Sequence, residues 1–310
     1  MQVLYFPDSP SPGWRDPVAA LGNFDGMHRG HMRLLERVRR QAGERGGTPV
    51  AMIFEPHPPR VLRPDKAPPL LMTLEQKVEA FDRAGMQGVA IVRFSHEVSR
   101  WEPEFFVETV LIDWLHVAEV WVGANFLFGR DRSGTYTLLR ALGEDRGFRT
   151  DKIDPVRYKD FVVSSTRVRH LVAEGRVDEA AALLGHQYYL DGIVVHGDGR
   201  GRDLGFPTAN LASGNELLPA YGIYATIAVI DGIHHSSVTS IGIRPTIGDN
   251  QLTIEAHLLD GPCDLYGKRL RLALVQRLRD ELKFDGLEPL RAQIAADCDT
   301  ARALFAAMAL

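Results

Sequence analysis

The chain has 310 residues, 45% of them hydrophobic and 25% charged, the balance of an ordinary globular protein, which excludes a disordered or collagen-like chain. Residues 1–185 carry 25 Lys+Arg against 25 Asp+Glu and residues 186–310 carry 11 against 15, so the formal charge of −4 resides in the second part. Without a field of basic residues to displace counterions, nucleic acid is not an expected partner, whereas small anions held by local dipoles are.

Apolar runs at Val18–Leu21, Pro49–Phe54, Val89–Phe94 and Glu119–Val122 predict buried strands. The stretch before them, with Pro7, Pro10 and Pro12, reads as an irregular lead-in. Leu34, Leu35 and Val38 mark one helix, and Thr73-Leu74-Glu75-Gln76 has capping-box spacing ahead of a stripe of Leu74, Val78 and Phe81. Strands alternating with helices predict a Rossmann-like α/β domain with a parallel sheet. After residue 185 the pattern becomes mainly β. Runs at Tyr188–Val195, Ile223–Ile230, Ser237–Ile241, Leu252–Leu258 and Leu270–Leu278 are strands, and Asp231-Gly232 is a hairpin signal. A closed antiparallel barrel removes the exposed edges of so few strands, and the alanine-rich Leu287–Phe305 reads as a C-terminal packing helix. Two domains follow, 1–185 and 186–310, each large enough for its own core.

Cys263 and Cys298 lack the CxxC spacing of a thiolate metal site, and a reducing cytosol suits them. No apolar run approaches the roughly 18 residues that span a bilayer, and the opening residues lack the basic-then-apolar order of an export signal. The expectation is a cytoplasmic chain with no membrane partner. Nothing in the sequence reveals an oligomeric interface.

Two segments carry chemistry. In the first, Leu21-Gly22-Asn23-Phe24-Asp25-Gly26-Met27-His28-Arg29-Gly30-His31 follows a predicted strand and opens a helix. Glycines permit close backbone approach, and a helix N-terminus offers free N–H groups to an anion. Gly22, Phe24, Asp25 and Gly30 are the candidate phosphate-contacting positions of this turn. His28 and His31, spaced to share one side of it, add donors for charge that develops on a phosphoryl group under attack. A satisfied polar histidine is the plainer reading, and metal binding a third, although no carboxylate or cysteine stands at ligand spacing. The phosphate reading gains from Ser164-Ser165-Thr166-Arg167-Val168-Arg169, where hydroxyls at a helix start and Arg169 one turn on form an N-cap or a phosphate fork.

GNFDGMHRGH, FEPHP at 54–58, VGANFLFG at 122–129 and SSTRVR together resemble the FMN adenylyltransferase half of bacterial bifunctional riboflavin kinase/FAD synthetases. The resemblance implies that His28 and His31 contact ATP phosphates and that Ser164, Thr166 and Arg169 hold the triphosphate. It also implies that Asn125, Phe128 and the Pro56 to Pro58 stretch border the flavin. Core packing is an equal reading for Phe126 and Phe128.

In the second segment, His196-Gly197-Asp198-Gly199-Arg200-Gly201-Arg202 follows a strand and precedes Phe206-Pro207-Thr208-Ala209-Asn210. Gly197, Gly199 and Gly201 allow consecutive N–H groups to converge on an anion, though a flexible hairpin reads equally well. Thr208 and Asn210, two apart on an extended strand, share a face where a hydroxyl and an amide oxygen suit Mg²⁺. GRGRDLGFPTANL resembles the riboflavin kinase signature, and EAHLLDGPCDLYG resembles that family's catalytic-base segment, which makes Glu255 the expected base. His257 shares its face and is as plausibly structural. Ser240 stands where members more often carry Asn. The resemblance implies ATP, riboflavin, FMN and FAD as substrates and products, Mg²⁺ as cofactor, and phosphorylation of riboflavin followed by adenylylation of FMN. A different nucleotidylyltransferase with an appended barrel and a non-catalytic flavin sensor are the competing readings.

Overall fold

The computed structural model describes residues 1–197, 200–245, 250–260 and 264–308. Asp198, Gly199 and Cys263, named above, lie outside them. The chain divides into two compact units, Met1–Ser164 and Ser165–Leu310.

The first unit opens with β1 (Gln2–Phe6), β2 (Val18–Leu21), α1 (Arg29–Arg45), β3 (Pro49–Glu55), α2 (Pro58–Leu62), α3 (Leu74–Arg83) and β4 (Gly88–Arg93). It continues with α4 (Pro103–Phe106) running into a π-helix at Val107–Trp114, then β5 (Glu119–Gly123), β6 (Leu127–Phe128), β7 (Gly134–Thr135), α5 (Tyr136–Arg146) and β8 (Arg149–Ile153). It closes on the hairpin of β9 (Arg157–Tyr158) and β10 (Phe161–Val162). The main sheet has order β1-β4-β3-β2-β5-β8, with every pair parallel. All four residues of β2 are buried, as expected of a central parallel strand covered on both faces. The four predicted strands form the middle of this sheet. Its two edges were not anticipated: β1 lies inside the expected irregular lead-in, and β8 is mostly polar. Edge strands expose one side: β8 carries no apolar run, so its signal is weak, whereas β1 does carry one, Val3-Leu4-Tyr5-Phe6, which the adjoining prolines masked.

In this sheet the chain winds from β2 to β3 and β4 in one direction, then crosses to β5 and β8 on the other side of β2. A sheet that reverses direction in this way leaves a crevice at the carboxyl ends of the strands where it switches. The glycine turn follows β2 and residues 124–132 follow β5, so the topology alone delivers both to that crevice.

The second unit comprises α6 (Ser165–Ala173), α7 (Val177–Leu184), β11 (Tyr188–Val195), α8 (Arg200–Asp203), β12 (Ala209–Ser213), β13 (Gly222–Ile230), β14 (Ile233–Pro245), β15 (Asn250–Leu258), β16 (Arg269–Arg279) and α9 (Leu287–Ala307). Its six strands close into a barrel, β11-β12-β15-β14-β13-β16, with antiparallel pairing throughout. The Asp231-Gly232 turn has both residues at positive φ, 51° and 80°, the two-residue geometry whose twist matches the strands it joins. Helix α9 packs Cys298, Ala301 and Phe305 against Ala225, Val238 and Val275 on the outside of the barrel. Helix α7 packs on β16 and β11.

Candidate active sites

A cleft of about 1170 Å³ opens at the carboxyl ends of the parallel strands. It is lined by segments that follow β2, β3, β4, β5 and β8, and it gathers Gly22, Phe24, His28, Gly30, His31, Pro58, Asn125, Phe128 and Ser164. Pro56, which is exposed, and Asp25 are not among its lining.

His28 is the N-cap of α1, and its Nδ1 accepts a hydrogen bond from the backbone N–H of His31 at 3.2 Å. That bond assigns the ring proton to Nε2, which leaves one N–H donor on a neutral ring. The rings of His28 and His31 are stacked, centroids 3.6 Å apart and planes 13° from parallel. Gly30 permits this arrangement: a Cβ there would press within 3.1 Å of the His28 ring. The turn is itself strained, with Phe24 and Met27 at φ values of 50° and 44°. Packing holds it. Phe24 is fully buried, edge-on to Phe81 at 5.2 Å and tilted against His31 at 5.2 Å. Asp25, also buried, accepts hydrogen bonds from the backbone N–H of Leu71 and Met72, which ties the turn to the start of α3.

Both imidazoles favour their neutral forms. Desolvation lowers His28 from 6.5 to about 4, against smaller opposing effects of a backbone hydrogen bond and Asp25. His31 lies well below its ordinary value because of burial first, then the like charges of His28 and Lys77. Its Nδ1 is buried with no hydrogen-bond partner among the described residues. The pair can therefore donate hydrogen bonds to an anion without bringing a full positive charge.

Phe128 is 5% exposed and belongs to the core that Phe106, Val107 and Leu139 build, while its ring stacks on the half-buried Phe126 at 5.5 Å and 20°. Both rings also line the cleft, so packing and ligand contact coexist there. Asn125 is exposed at the same rim. A basic border escaped sequence reasoning: Arg63, Lys66, Arg100, Arg130 and Arg132 line the cleft, with Arg130 held by Glu102 at 2.6 Å. These cations are scattered over separate segments, so no local motif announces them. Thr166, exposed, and Arg169, half-buried, stand on α6 in the second unit.

The barrel carries the second site on its outer face. Asn210 on β12 pairs with Glu255 on β15, and Glu255 pairs in turn with Ser240 on β14, so the three share one face. Thr208 Oγ1 donates to Glu255 Oε2 at 3.2 Å. A Cβ at Gly197 would collide with the Asn210 amide, and one at Gly201 would crowd Thr208 Oγ1 at 3.2 Å, so two of the loop glycines lie against the two polar side chains. The half-buried His257 is structural, because its Nδ1–H donates to the Pro207 carbonyl at 2.9 Å and its ring meets Phe206 edge-on at 5.4 Å. Hydroxyl, amide and carboxylate oxygens converge here without soft ligands, the donor set of a hard divalent cation that completes its shell with water and phosphate oxygens. Among the described residues no three His, Cys, Asp or Glu side chains form a protein-only metal cage.

Comparison with protein families matches FAD synthetase over residues 11–167 and riboflavin kinase over residues 184–305. The bifunctional riboflavin kinase/FMN adenylyltransferase of Pseudomonas fluorescens is 39% identical over 296 residues, 95% of each chain. That of Listeria monocytogenes is 37% identical over 298 residues, 94% of each. A crystal structure described as a macrolide-efflux protein from Streptococcus pneumoniae superposes with a TM-score of 0.86 at 27% identity, covering 97% of this chain and 98% of that one. The efflux role is that protein's description; among the described residues here no helix is long and apolar enough to cross a membrane.

Proposed function

The chain belongs to the bifunctional riboflavin kinase/FMN adenylyltransferase family, and from that premise we propose how its residues divide the two reactions. It is a transferase of FAD biosynthesis that uses ATP twice, first to phosphorylate riboflavin to FMN and then to adenylylate FMN to FAD with release of pyrophosphate. We assign adenylylation to residues 1–185 and phosphorylation to 186–310, a division supported by the FAD synthetase match over 11–167 and the riboflavin kinase match over 184–305.

In the kinase step the ribityl 5′-hydroxyl oxygen attacks the γ-phosphorus of ATP, the bond to the β–γ bridging oxygen breaks, and ADP leaves. Glu255 orients the hydroxyl and accepts its proton. Its bond with Thr208 supports this reading, because it fixes the carboxylate beside the phosphate loop. Thr208 and Asn210 are the residues that would hold Mg²⁺, and the ion, when bound, neutralises charge on the phosphates. Gly197, Gly199 and Gly201 supply backbone N–H groups to the triphosphate.

In the adenylylation step an oxygen of the FMN phosphate attacks the α-phosphorus of a second ATP, the α–β bridging bond breaks, and pyrophosphate departs. His28 and His31 donate hydrogen bonds to the α-phosphoryl oxygens, with Gly22, Phe24 and Gly30 shaping the turn. Asp25 serves as its anchor. Ser164, Thr166 and Arg169 bind the β- and γ-phosphates. Pro56, Pro58, Asn125 and Phe128 border the flavin. The observation that carries this assignment is the stacked imidazole pair at the N-terminus of α1, placed where a doubly wound sheet binds phosphate. A chain that consumes ATP and lacks an excess of basic residues fits a cytoplasmic enzyme acting on small molecules, not nucleic acid.

Incubating the purified chain with riboflavin, ATP and Mg²⁺, then resolving FMN from FAD over time, tests the reading. Glu255→Gln should abolish FMN formation yet still convert supplied FMN to FAD. His31→Ala should accumulate FMN. Loss of both activities together in either folded variant would overturn the division of labour.

A further inference from the structure

The loop between β6 and β7 holds its backbone in an unfavourable form. Gly129 has a φ of 70°, and Asp131 and Arg132 follow at 50° and 60°, so two successive residues that carry side chains lie in the left-handed region. Aspartate tolerates that region through its short polar side chain, arginine does not, and an exposed turn free to relax would give the conformation up. Here the surroundings enforce it. The Arg130 N–H donates to the Trp101 carbonyl at 2.7 Å, the Arg132 N–H donates to the Gly129 carbonyl at 3.1 Å, and the N–H and hydroxyl of Ser133 both donate to the Arg130 carbonyl. A Cβ at Gly129 would fall 2.7 Å from Pro103, so glycine alone lets the turn approach that closely.

The strained turn fixes the position of a charge. Arg130, Asp131 and Arg132 line the cleft, and the short helical turn Val98–Arg100, which packs against them, brings Arg100 to the same wall. Glu102 neutralises Arg130. Arg100 and Arg132 are exposed and have no ion-pair partner among the described residues, Asp131 included. Arg63 and Lys66 also line the cleft, but both lie at negative φ, with no strain to maintain.

FMN and riboflavin share a ring and a ribityl chain, and they differ by a phosphomonoester that carries about two negative charges at neutral pH. A chain that makes FMN from riboflavin meets both flavins, and its adenylylation site must take only one. Aromatic contacts such as Phe126 and Phe128 cannot separate two identical rings. A cation can, and the neutral imidazoles of His28 and His31 supply none.

We propose that Arg132, seconded by Arg100 on the neighbouring turn, is a specificity-determining residue of adenylylation: it grips the phosphomonoester of FMN and so selects FMN over riboflavin. This rests on the assignment of the cleft to FMN and ATP above. Arg132 stands in the same segment as Asn125 and Phe128, which border the flavin in that assignment. A guanidinium offers two parallel N–H donors to two phosphate oxygens, and a chain that ends in a hydroxyl gains nothing comparable from it.

The test is Arg132→Gly in the full chain carrying Glu255→Gln, so that riboflavin competes with FMN without being phosphorylated. Glycine keeps the left-handed turn and removes only the cation. In conversion of FMN to FAD, the KM for FMN should rise by about fivefold or more, while the Ki of riboflavin and the KM for ATP stay within about twofold of the Glu255→Gln parent. Arg132→Lys should recover part of the loss, because it restores the charge without the fork. Should Arg132→Gly fail to fold, Arg100→Gln, on a separate segment, is judged by the same three constants. A smaller rise in the KM for FMN, or a rise matched by the riboflavin Ki or by the KM for ATP, overturns the proposal. If the Glu255→Gln parent itself makes no FAD from FMN, the assignment of the cleft fails instead.

Discussion

His28 caps α1 through Nδ1 and leaves its other nitrogen as a donor, so in the proposed assignment one ring serves both the helix and a phosphate. The same residue couples stability to pH. Its folded value, about 4, lies below the unfolded 6.5, so between those limits the unfolded chain binds more protons. Stability then rises with pH: it is complete above about 6.5 and falls as the solution is acidified toward 4. Between pH 7.5 and 5 this single group costs about 2 kcal/mol, and His31 adds a loss of the same sign. His28→Asn keeps a good N-cap while removing the titration. Urea unfolding of that variant at the two pH values should show a loss smaller than the parent's by about 2 kcal/mol.

At the scale of elements, α3 shows how a correct local signal coexists with a wrong face. The capping box at Thr73 is present in full, with Thr73 accepting from the Gln76 N–H at 3.2 Å and Gln76 accepting from the Thr73 N–H at 2.9 Å. Thr73→Ala should destabilise the first unit by about 1 kcal/mol, and it should weaken adenylylation further, because the cap fixes the segment that Asp25 grips. Denaturation followed by tryptophan fluorescence measures this directly, since Trp14, Trp101, Trp114 and Trp121 all lie in that unit. The apolar stripe of Leu74, Val78 and Phe81 predicted the buried side only at Phe81. Leu74 and Val78 are half-buried, whereas Gln76 and Lys77 are enclosed. Periodicity ranks side chains by their cost in an apolar core, and it fails where a polar residue is retained at that cost.

Across the whole molecule, the barrel depends on a helix attached by charge as well as apolar contact. Arg279 at the end of β16 donates from Nε and Nη2 to both oxygens of Asp297, at 2.9 and 2.7 Å, and Gln293 donates to the same carboxylate at 3.0 Å. With Asp297 7% and Arg279 18% exposed, removing one partner leaves the other poorly solvated. Asp297→Ala should therefore cost the second unit about 3 kcal/mol. Kinase activity should be lost at a lower temperature than in the parent, with the tryptophan-reported transition of the first unit unchanged.

The sequence by itself determined the central strands, five of the six barrel strands, the hairpin turn, the helix cap and both glycine-rich motifs, because each is written in neighbouring residues whose backbone or spacing demands are local. The families followed from the same motifs, HxGH and SSTxxR in one part and PTAN with Glu255 in the other. Tertiary structure decided the rest. Only folding stacks His28 on His31, sets Thr208 and Asn210 against Glu255, turns His257 to the Pro207 carbonyl, and collects the basic border of the cleft from separate segments. It also enclosed Lys77 and left β1 and β8 as edges. These outcomes depend on residues far apart in the chain meeting in one low-dielectric place, and the energy of such a meeting has no counterpart in any short stretch of sequence.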